Sequence, residues 1–335
     1  MSDPSREPLP AKFRQRLDDL EAALDADLLP DPAARRTVFR VVRDAERVLA
    51  ELSGLGLAPE PVPGLDDAWS VAPAERELLT HAGPATDGSL YVQGAASIRA
   101  ARALGALPDQ RVLDLAAAPG GKTLVLAAAM QGRGELVAVD AVKARFHRLR
   151  ANLDQAGAAH VRTWLGDGRR VPRDFHQHFD RVLLDAPCSS EARIDPANPK
   201  TFANWSLGKV RDMARKQWGL LGTALRCLAP GGEVVYSTCS FAPEENEATL
   251  AAWLTVDDSD DRAAELLPLD LGEGVTTRPG LDRFGRKRWP EQLNLARRIV
   301  PDALHEGLFV ARLRRRSRTA RSASPISARS RRPHS

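Results

Sequence analysis

The chain has 335 residues, 43% hydrophobic and 27% charged, which suits one large globular domain with a smaller companion. No apolar run reaches the roughly 18 residues needed to span a bilayer, and Met1–Arg6 carries no apolar signal-peptide core, so a cytoplasmic protein without membrane contact is expected. Three cysteines make no disulfide framework, and the formal net charge of +4 is uneven: nine arginines and no acid lie between Arg312 and Ser335, which leaves −5 on residues 1–311.

In chain order, Phe13, Leu17, Leu20, Leu24 and Leu28 fall at helical spacing, which predicts an amphipathic helix over residues 10–28, stopped by Pro30-Asp31-Pro32. Residues 1–34 thus read as a helical extension. A strand at Thr37–Val42, a helix at 44–55, a turn at Pro61–Gly64 and a stretch at Trp69–Val71 read as a small α+β unit over 35–85. From Tyr91 the pattern changes. An Ala-rich helix (95–104) precedes strands at 111–115, 135–140, 161–164, 180–185 and 232–237, with helices near 122–130, 142–156 and 208–228 between them. Such alternation predicts a parallel, doubly wound α/β sheet with helices on both faces. Leu308–Leu313 reads as a last strand. Residues 255–300 give only loose signals, and the arginine-rich stretch 314–335 is expected to be disordered, a plausible arm for phosphates.

Three strand ends carry polar chemistry, and ligands of open α/β sheets bind at the carboxyl ends of strands. The first strand holds Asp114 and runs into Ala116-Ala117-Ala118-Pro119-Gly120-Gly121-Lys122-Thr123. This loop lacks the first glycine of a P-loop, having Ala116 there, and it lacks Gly-x-Gly-x-x-Gly. Asp140 ends the second strand, suited to a ribose diol, and Asp167 follows the third, within reach of an adenine amine. An acid, a small-residue loop and two further acids in register are how S-adenosylmethionine is held in class I methyltransferases. Cys188, in Asp185-Ala186-Pro187-Cys188-Ser189, and Cys239, in Tyr236-Ser237-Thr238-Cys239-Ser240, both follow apolar strands. Pro243 and Glu244-Glu245 behind Cys239 predict a helix N-terminus, which favours a thiolate. Cys227 sits inside an apolar helix and reads as core. A methyl donor beside a nucleophilic thiol suits carbon-5 of a pyrimidine, which becomes nucleophilic only after a thiolate adds to carbon-6. No metal is called for.

These three segments, with Phe241-Ala242-Pro243-Glu244-Glu245-Asn246-Glu247 after the last, closely resemble the Sun/RsmB family of S-adenosylmethionine-dependent RNA (cytosine-5) methyltransferases, over roughly residues 35–313. The resemblance implies a class I, Rossmann-like catalytic domain over 86–313 with an antiparallel last strand, and an RNA-recognition-like fold at 35–85. It implies that Cys239 is the nucleophile and that Cys188 assists product release. It carries cofactor contacts onto Ala116, Ala117, Ala118, Pro119, Gly120, Gly121, Lys122, Asp140, Asp167 and Asp185. Asp185 is also expected to hold the cytosine, with Lys122 as a further substrate contact. The family often has cysteine where this chain has Ala116, and Glu306-Gly307-Leu308-Phe309 replaces its usual Asp-Gly-Phe-Phe. DNA cytosine methyltransferases place glutamine after the Pro-Cys nucleophile. Ser189 stands there in this chain, so RNA is expected: 16S ribosomal RNA first, tRNA second, handled by a monomer. Arg169, Arg170, Arg173, Lys200, Lys209, Arg211 and Arg215 are candidate phosphate contacts, and Trp205 is a candidate for base stacking.

Overall fold

The structure is a computed structural model that describes residues 9–256, 260 and 262–316. Its first element, α1 (Ala11–Leu24), buries the stripe Phe13, Leu17, Leu20 and Leu24. The helix stops short of residue 28, because Asp25 turns left-handed at φ 48°. Leu28 reaches the same apolar cluster from the loop beyond, so its spacing reflects burial rather than helix.

The small unit comprises β1 (Thr37–Val41), α2 (Ala45–Gly54), β2 (Glu60–Val62), β3 (Leu65–Val71), α3 (Arg76–His81), α4 (Gly83–Thr86) and β4 (Leu90–Val92). Its strands pair antiparallel in the order β2-β3-β1-β4. Asp44 caps α2 by accepting from the Arg47 amide, and Val48 and Leu52 of that helix pack on Phe39 and Val71 of the sheet. Because β4 belongs to this sheet, the unit runs past the expected boundary at residue 85.

After α5 (Ala95–Arg102) come β5 (Arg111–Asp114), α6 (Gly121–Met130), β6 (Glu135–Asp140), α7 (Lys143–Gln155), β7 (Arg162–Leu165), β8 (Phe179–Asp185), α8 (Leu207–Cys227) and β9 (Leu228–Thr238). Then follow α9 (Glu247–Leu254), β10 (Ala264–Leu267), β11 (Thr277–Pro279), the two-residue strands β12 (Arg283–Phe284) and β13 (Lys287–Arg288), β14 (Arg297–Ile299) and β15 (Leu308–Arg315). The large sheet has the order β11-β14-β15-β9-β8-β5-β6-β7, with β10 also on β15. Strands β7, β6, β5, β8 and β9 are parallel, whereas β15 runs antiparallel to β9. This is the expected doubly wound, Rossmann-like sheet with an antiparallel last strand. Val112 and Leu113, Leu136–Val139, Val182–Leu184 and Val234–Tyr236 are all buried, as strands covered on both faces must be. The chain builds outward from β5 to β7, then crosses back to β8 on the other side of β5, and the crevice of a doubly wound sheet opens at that reversal.

The last strand corrects the expected tail boundary. It continues through Arg315, because Glu233 on β9 takes Arg312 at 2.5 Å and Arg314 at 2.9 Å, and Arg315 donates to the Leu228 carbonyl. The expectation of disorder for the rest of the tail falls on residues 317–335, outside the described residues.

Candidate active site

The loop after β5 is shaped by two close approaches. Gly120 has φ +113°, and a Cβ there would lie 3.0 Å from the Leu149 side chain. A Cβ on Gly121 would come within 2.9 Å of the Tyr91 ring, so α6 can start against β4 only with glycine at this position. Asp140 is 4% exposed and fastens the loop. One carboxylate oxygen accepts from the Ala118 amide at 3.2 Å and the other from the Val142 amide at 2.9 Å. Arg145 donates to the Ala118 carbonyl from the outer side.

This loop walls a cleft of 270 Å³ lined by Tyr91, Gln93, Asp114, Ala116–Pro119, Gly121, Lys122, Asp185, Arg193 and Glu306. At Ala116 and Arg145 the cleft meets a second, more apolar cavity of 150 Å³ bounded by Asp140, Val142, Asp167, Pro187 and Leu220. Asp114 is 1% exposed. Thr123 donates to one of its oxygens at 2.7 Å, and the other has no partner among the described residues. Burial pushes this carboxyl up to about 7. An unsatisfied acid beside the cleft invites a cation. These features fit S-adenosylmethionine: Asp114 for its ammonium end, Asp140 for the ribose, the apolar cavity for the base. Asp167 borders that cavity, but Arg169 holds both of its oxygens at 2.7–3.1 Å and keeps the carboxyl below its usual range.

At the other end of the cleft, Lys122 reaches across from α6 to Asp185 at 2.7 Å and to Ser97 at 2.8 Å. Ser237 donates to the second Asp185 oxygen at 2.7 Å. Burial alone would raise the Asp185 carboxyl; Lys122 and Ser237 outweigh it and hold the group below its ordinary value, as a carboxylate.

Beyond Asp185 the two strand-end cysteines meet, with Sγ atoms 3.2 Å apart and both half-buried. Hydrogen bonding to Cys188 lowers the Cys239 thiol to about 7 against the effect of burial, and Arg193 adds to the lowering. Cys188 moves the opposite way, raised by the same hydrogen bond and by burial. The two positions are therefore unequal, with the thiolate favoured on Cys239. The cause differs from the expected one. No helix starts at Pro243: α9 begins only at Glu247, and Asn246 before it turns its side chain to Thr238 and the Ser240 carbonyl. Cys227 is fully buried in α8, its thiol pushed up to about 12, consistent with core.

Sequence reasoning missed what ties the two thiol loops together. Buried Glu245 accepts from the Ser189 amide (2.9 Å), Ser240 Oγ (2.8 Å) and Gln217 (2.7 Å), and Ser189 Oγ also donates to it. Glu191, also buried, accepts from the Phe241 amide at 3.0 Å and from Trp205 at 2.8 Å. Burial raises both carboxyls. The serine after each cysteine was the available signal, since each serves the same carboxylate. Trp205, read as a candidate for stacking, is held by Glu191 and lies edge-on to Phe13 at 5.1 Å. Of the candidate phosphate contacts, Arg169 is committed to Asp167 and Arg215 to Asp212, while Arg170, Arg173, Lys200 and Arg211 are exposed. Among the described residues no cluster of His, Cys, Asp and Glu suits a metal, and no helix is long and apolar enough to cross a membrane.

Residues 101–314 match the family described as 16S rRNA methyltransferase RsmB/F. The chain is 32% identical over 328 residues to the ribosomal RNA small subunit methyltransferase F of Serratia proteamaculans, covering 94% of this chain and 65% of that protein. It is 36% identical over 278 residues to the enzyme of the same name from Salmonella paratyphi B, covering 80% and 54%. It thus spans between about half and two thirds of the length of these relatives. A methyltransferase homolog from Pyrococcus horikoshii superposes with a TM-score of 0.72 at 28% identity, covering 94% of this chain and 100% of that one.

Proposed function

The chain belongs to the RsmB/F family of 16S rRNA methyltransferases, and from that premise we propose that it transfers a methyl group from S-adenosylmethionine to carbon-5 of a cytosine in RNA, through a covalent bond between Cys239 and carbon-6. Small-subunit ribosomal RNA is the proposed substrate, after the names of the relatives. The observation that carries the chemistry is the 3.2 Å pairing of two strand-end thiols beyond a carboxylate fixed by Lys122. The small unit beginning near residue 35 is proposed to bind RNA, and the target base to be extruded into the cleft, since a stacked ring is closed on both faces.

In this reading the Cys239 thiolate adds to carbon-6, and the electrons of the carbon-5–carbon-6 double bond move toward N3. Asp185, kept ionised and rigid by Lys122 and Ser237, accepts from the exocyclic amine, while the Lys122 ammonium beside it offsets the charge developing at N3. The donor supplies a methyl cation equivalent to carbon-5 and leaves as the neutral thioether. Loss of the carbon-5 proton restores the double bond, the carbon–sulfur bond breaks, and Cys239 departs as thiolate. Cys188, in contact with that sulfur, assists the departure.

The test is methyl transfer from labelled S-adenosylmethionine to a 16S rRNA fragment. Cys239→Ala is expected to reduce incorporation to background; retained activity refutes the nucleophile. Cys188→Ala is expected to accumulate a covalent RNA adduct, seen as a slow band on a denaturing gel; its absence refutes the release role.

A further inference from the structure

We propose that Arg193 is a positioning residue for the reaction: carried on a turn bonded to the Cys239 backbone, its guanidinium keeps the Cys239 sulfur ionised before RNA arrives. The inference rests on Cys239 being the attacking thiol.

The turn Glu191–Arg193 follows the Cys188 loop and is latched to the Cys239 segment on three sides. The Ala192 amide donates to the Cys239 carbonyl at 3.1 Å. The Phe241 amide and the Ser240 hydroxyl donate to Glu191 at 3.0 and 3.3 Å. This fixes the Arg193 backbone one residue from the Ala192–Cys239 bond, while its side chain opens into the cleft that Lys122 and Asp185 also line.

The cleft has two other cations, and both are committed. Lys122 pairs with Asp185 at 2.7 Å, and Arg145 caps the Ala118 carbonyl and lies 3.8 Å from Asp140. Arg193 makes no ion pair with another side chain among the described residues. The thiol pair, by contrast, is faced mostly by groups that disfavour a thiolate. Asp185 at the end of β8 disfavours a thiolate on both cysteines, and Glu245, which bridges the loops, disfavours one on Cys188. Lys122 is neutralised by Asp185. The hydrogen bond from Cys188 favours the Cys239 thiolate first, burial and Asp185 oppose it, and Arg193 is the cation that adds to the hydrogen bond. The electrostatics agree: Cys239 is the largest influence raising the Arg193 guanidinium, ahead of Glu306 and Asp185. Because the Arg193 side chain is open to solvent, its pull is screened, so a shift nearer one pH unit than three is expected.

The test is the pH profile of Cys239 alkylation by iodoacetamide, read by peptide mass spectrometry on the full chain without RNA or donor. Arg193→Met is expected to move the midpoint for Cys239 upward by about one pH unit, and Arg193→Lys to restore most of it. Methyl transfer by Arg193→Met should fall about fivefold at pH 7, as a one-unit rise from about 7 takes the thiolate fraction from about a half to about a tenth, and recover under alkaline conditions. A local loss of fold would disturb the Cys188 profile and lower the thermal midpoint as well, whereas loss of the charge alone spares the thermal midpoint. An unchanged Cys239 midpoint in a folded Arg193→Met protein overturns the proposal, whatever happens to methylation. Retained methylation in Cys239→Ala would instead overturn the assigned nucleophile, an outcome that the alkylation profile does not depend on.

Discussion

A carboxyl group with 1% exposure and one oxygen without a partner is expensive to ionise, and Asp114 carries that cost at the mouth of the cleft. Its folded value of about 7 lies above the ordinary 3.8, so the folded chain binds a proton there that the unfolded chain has already lost. By linkage, its contribution to the stability of the donor-free protein is full below about pH 4 and is lost as pH rises toward 7. Binding of a cationic ammonium group needs the opposite state, the carboxylate. Affinity for S-adenosylmethionine is therefore expected to rise with pH up to about 7 and then level off, in calorimetric titrations. Asp114→Asn should weaken binding at pH 8 by about tenfold or more and flatten the pH dependence. If the variant binds as tightly as the parent and with the same profile, Asp114 does not hold the donor.

At the scale of elements, the geometry of the proposed site depends on how two loops from parallel strands are locked to each other. Glu245 is the common acceptor for Ser189, Ser240 and Gln217. Glu245→Gln keeps the shape but turns one acceptor oxygen into a donor, so at least one of these buried donors loses its partner. A loss of about 1–3 kcal/mol is expected from the urea midpoint, with a fall in kcat larger than any change in KM. Equal stability with unchanged kcat would show that the loops hold without this bridge. The beginning of α9 is a second pressure point. Glu247 is fully buried and pairs with Arg298 at 2.6 Å, so Glu247→Ala strands a buried cation and should cost about 3–5 kcal/mol in the same assay.

These same elements mark where the sequence was readable. The parallel strands β5, β6, β8 and β9 announce themselves because burial on both faces demands unbroken apolar runs, and the strand-end motifs follow from topology. The segment 240–246 was misread because Pro243 and two glutamates imitate a helix start. In the fold Glu245 binds Ser189 and Gln217 and Glu244 pairs with Arg16, partners distant in sequence that no local pattern reveals. Residues 264–299 form strands of two to four residues, too short for a period to register. Nothing near Arg193 in sequence marks it, because the Cys239 segment bonded to Ala192 beside it is brought by another strand.

The whole molecule is held around the cleft by contacts that run between its parts. Helix α1 packs Phe13, Leu17 and Leu20 onto Ala192, Ile194 and Phe241, beside the thiol loops, and Arg16 pairs with Glu244 at 2.6 Å. Buried Arg99 joins the Pro63 carbonyl of the small unit, at 2.6 Å, to the Leu271 carbonyl and His305 of the catalytic part. The charge distribution adds a functional division. Among the nine arginines from 312 onward, Arg312 and Arg314 are spent on Glu233 within the sheet, whereas Arg318, Arg321, Arg329, Arg331 and Arg332 follow the described strand. An acidic body that is to take up RNA gains most from cations outside its folded ion pairs. Removing residues 317–335 is therefore expected to lower the slope of log affinity against log salt by about 0.7 for each arginine in contact with single-stranded RNA, about 3.5 if all five take part. Filter binding across a salt series measures this, and an unchanged slope would remove the tail from the RNA interface. Arg312→Ala with Arg314→Ala should do the reverse. Glu233 would be left buried with only Arg181, at 3.9 Å, as a partner, so the urea midpoint falls while the salt slope of RNA binding stays as it was.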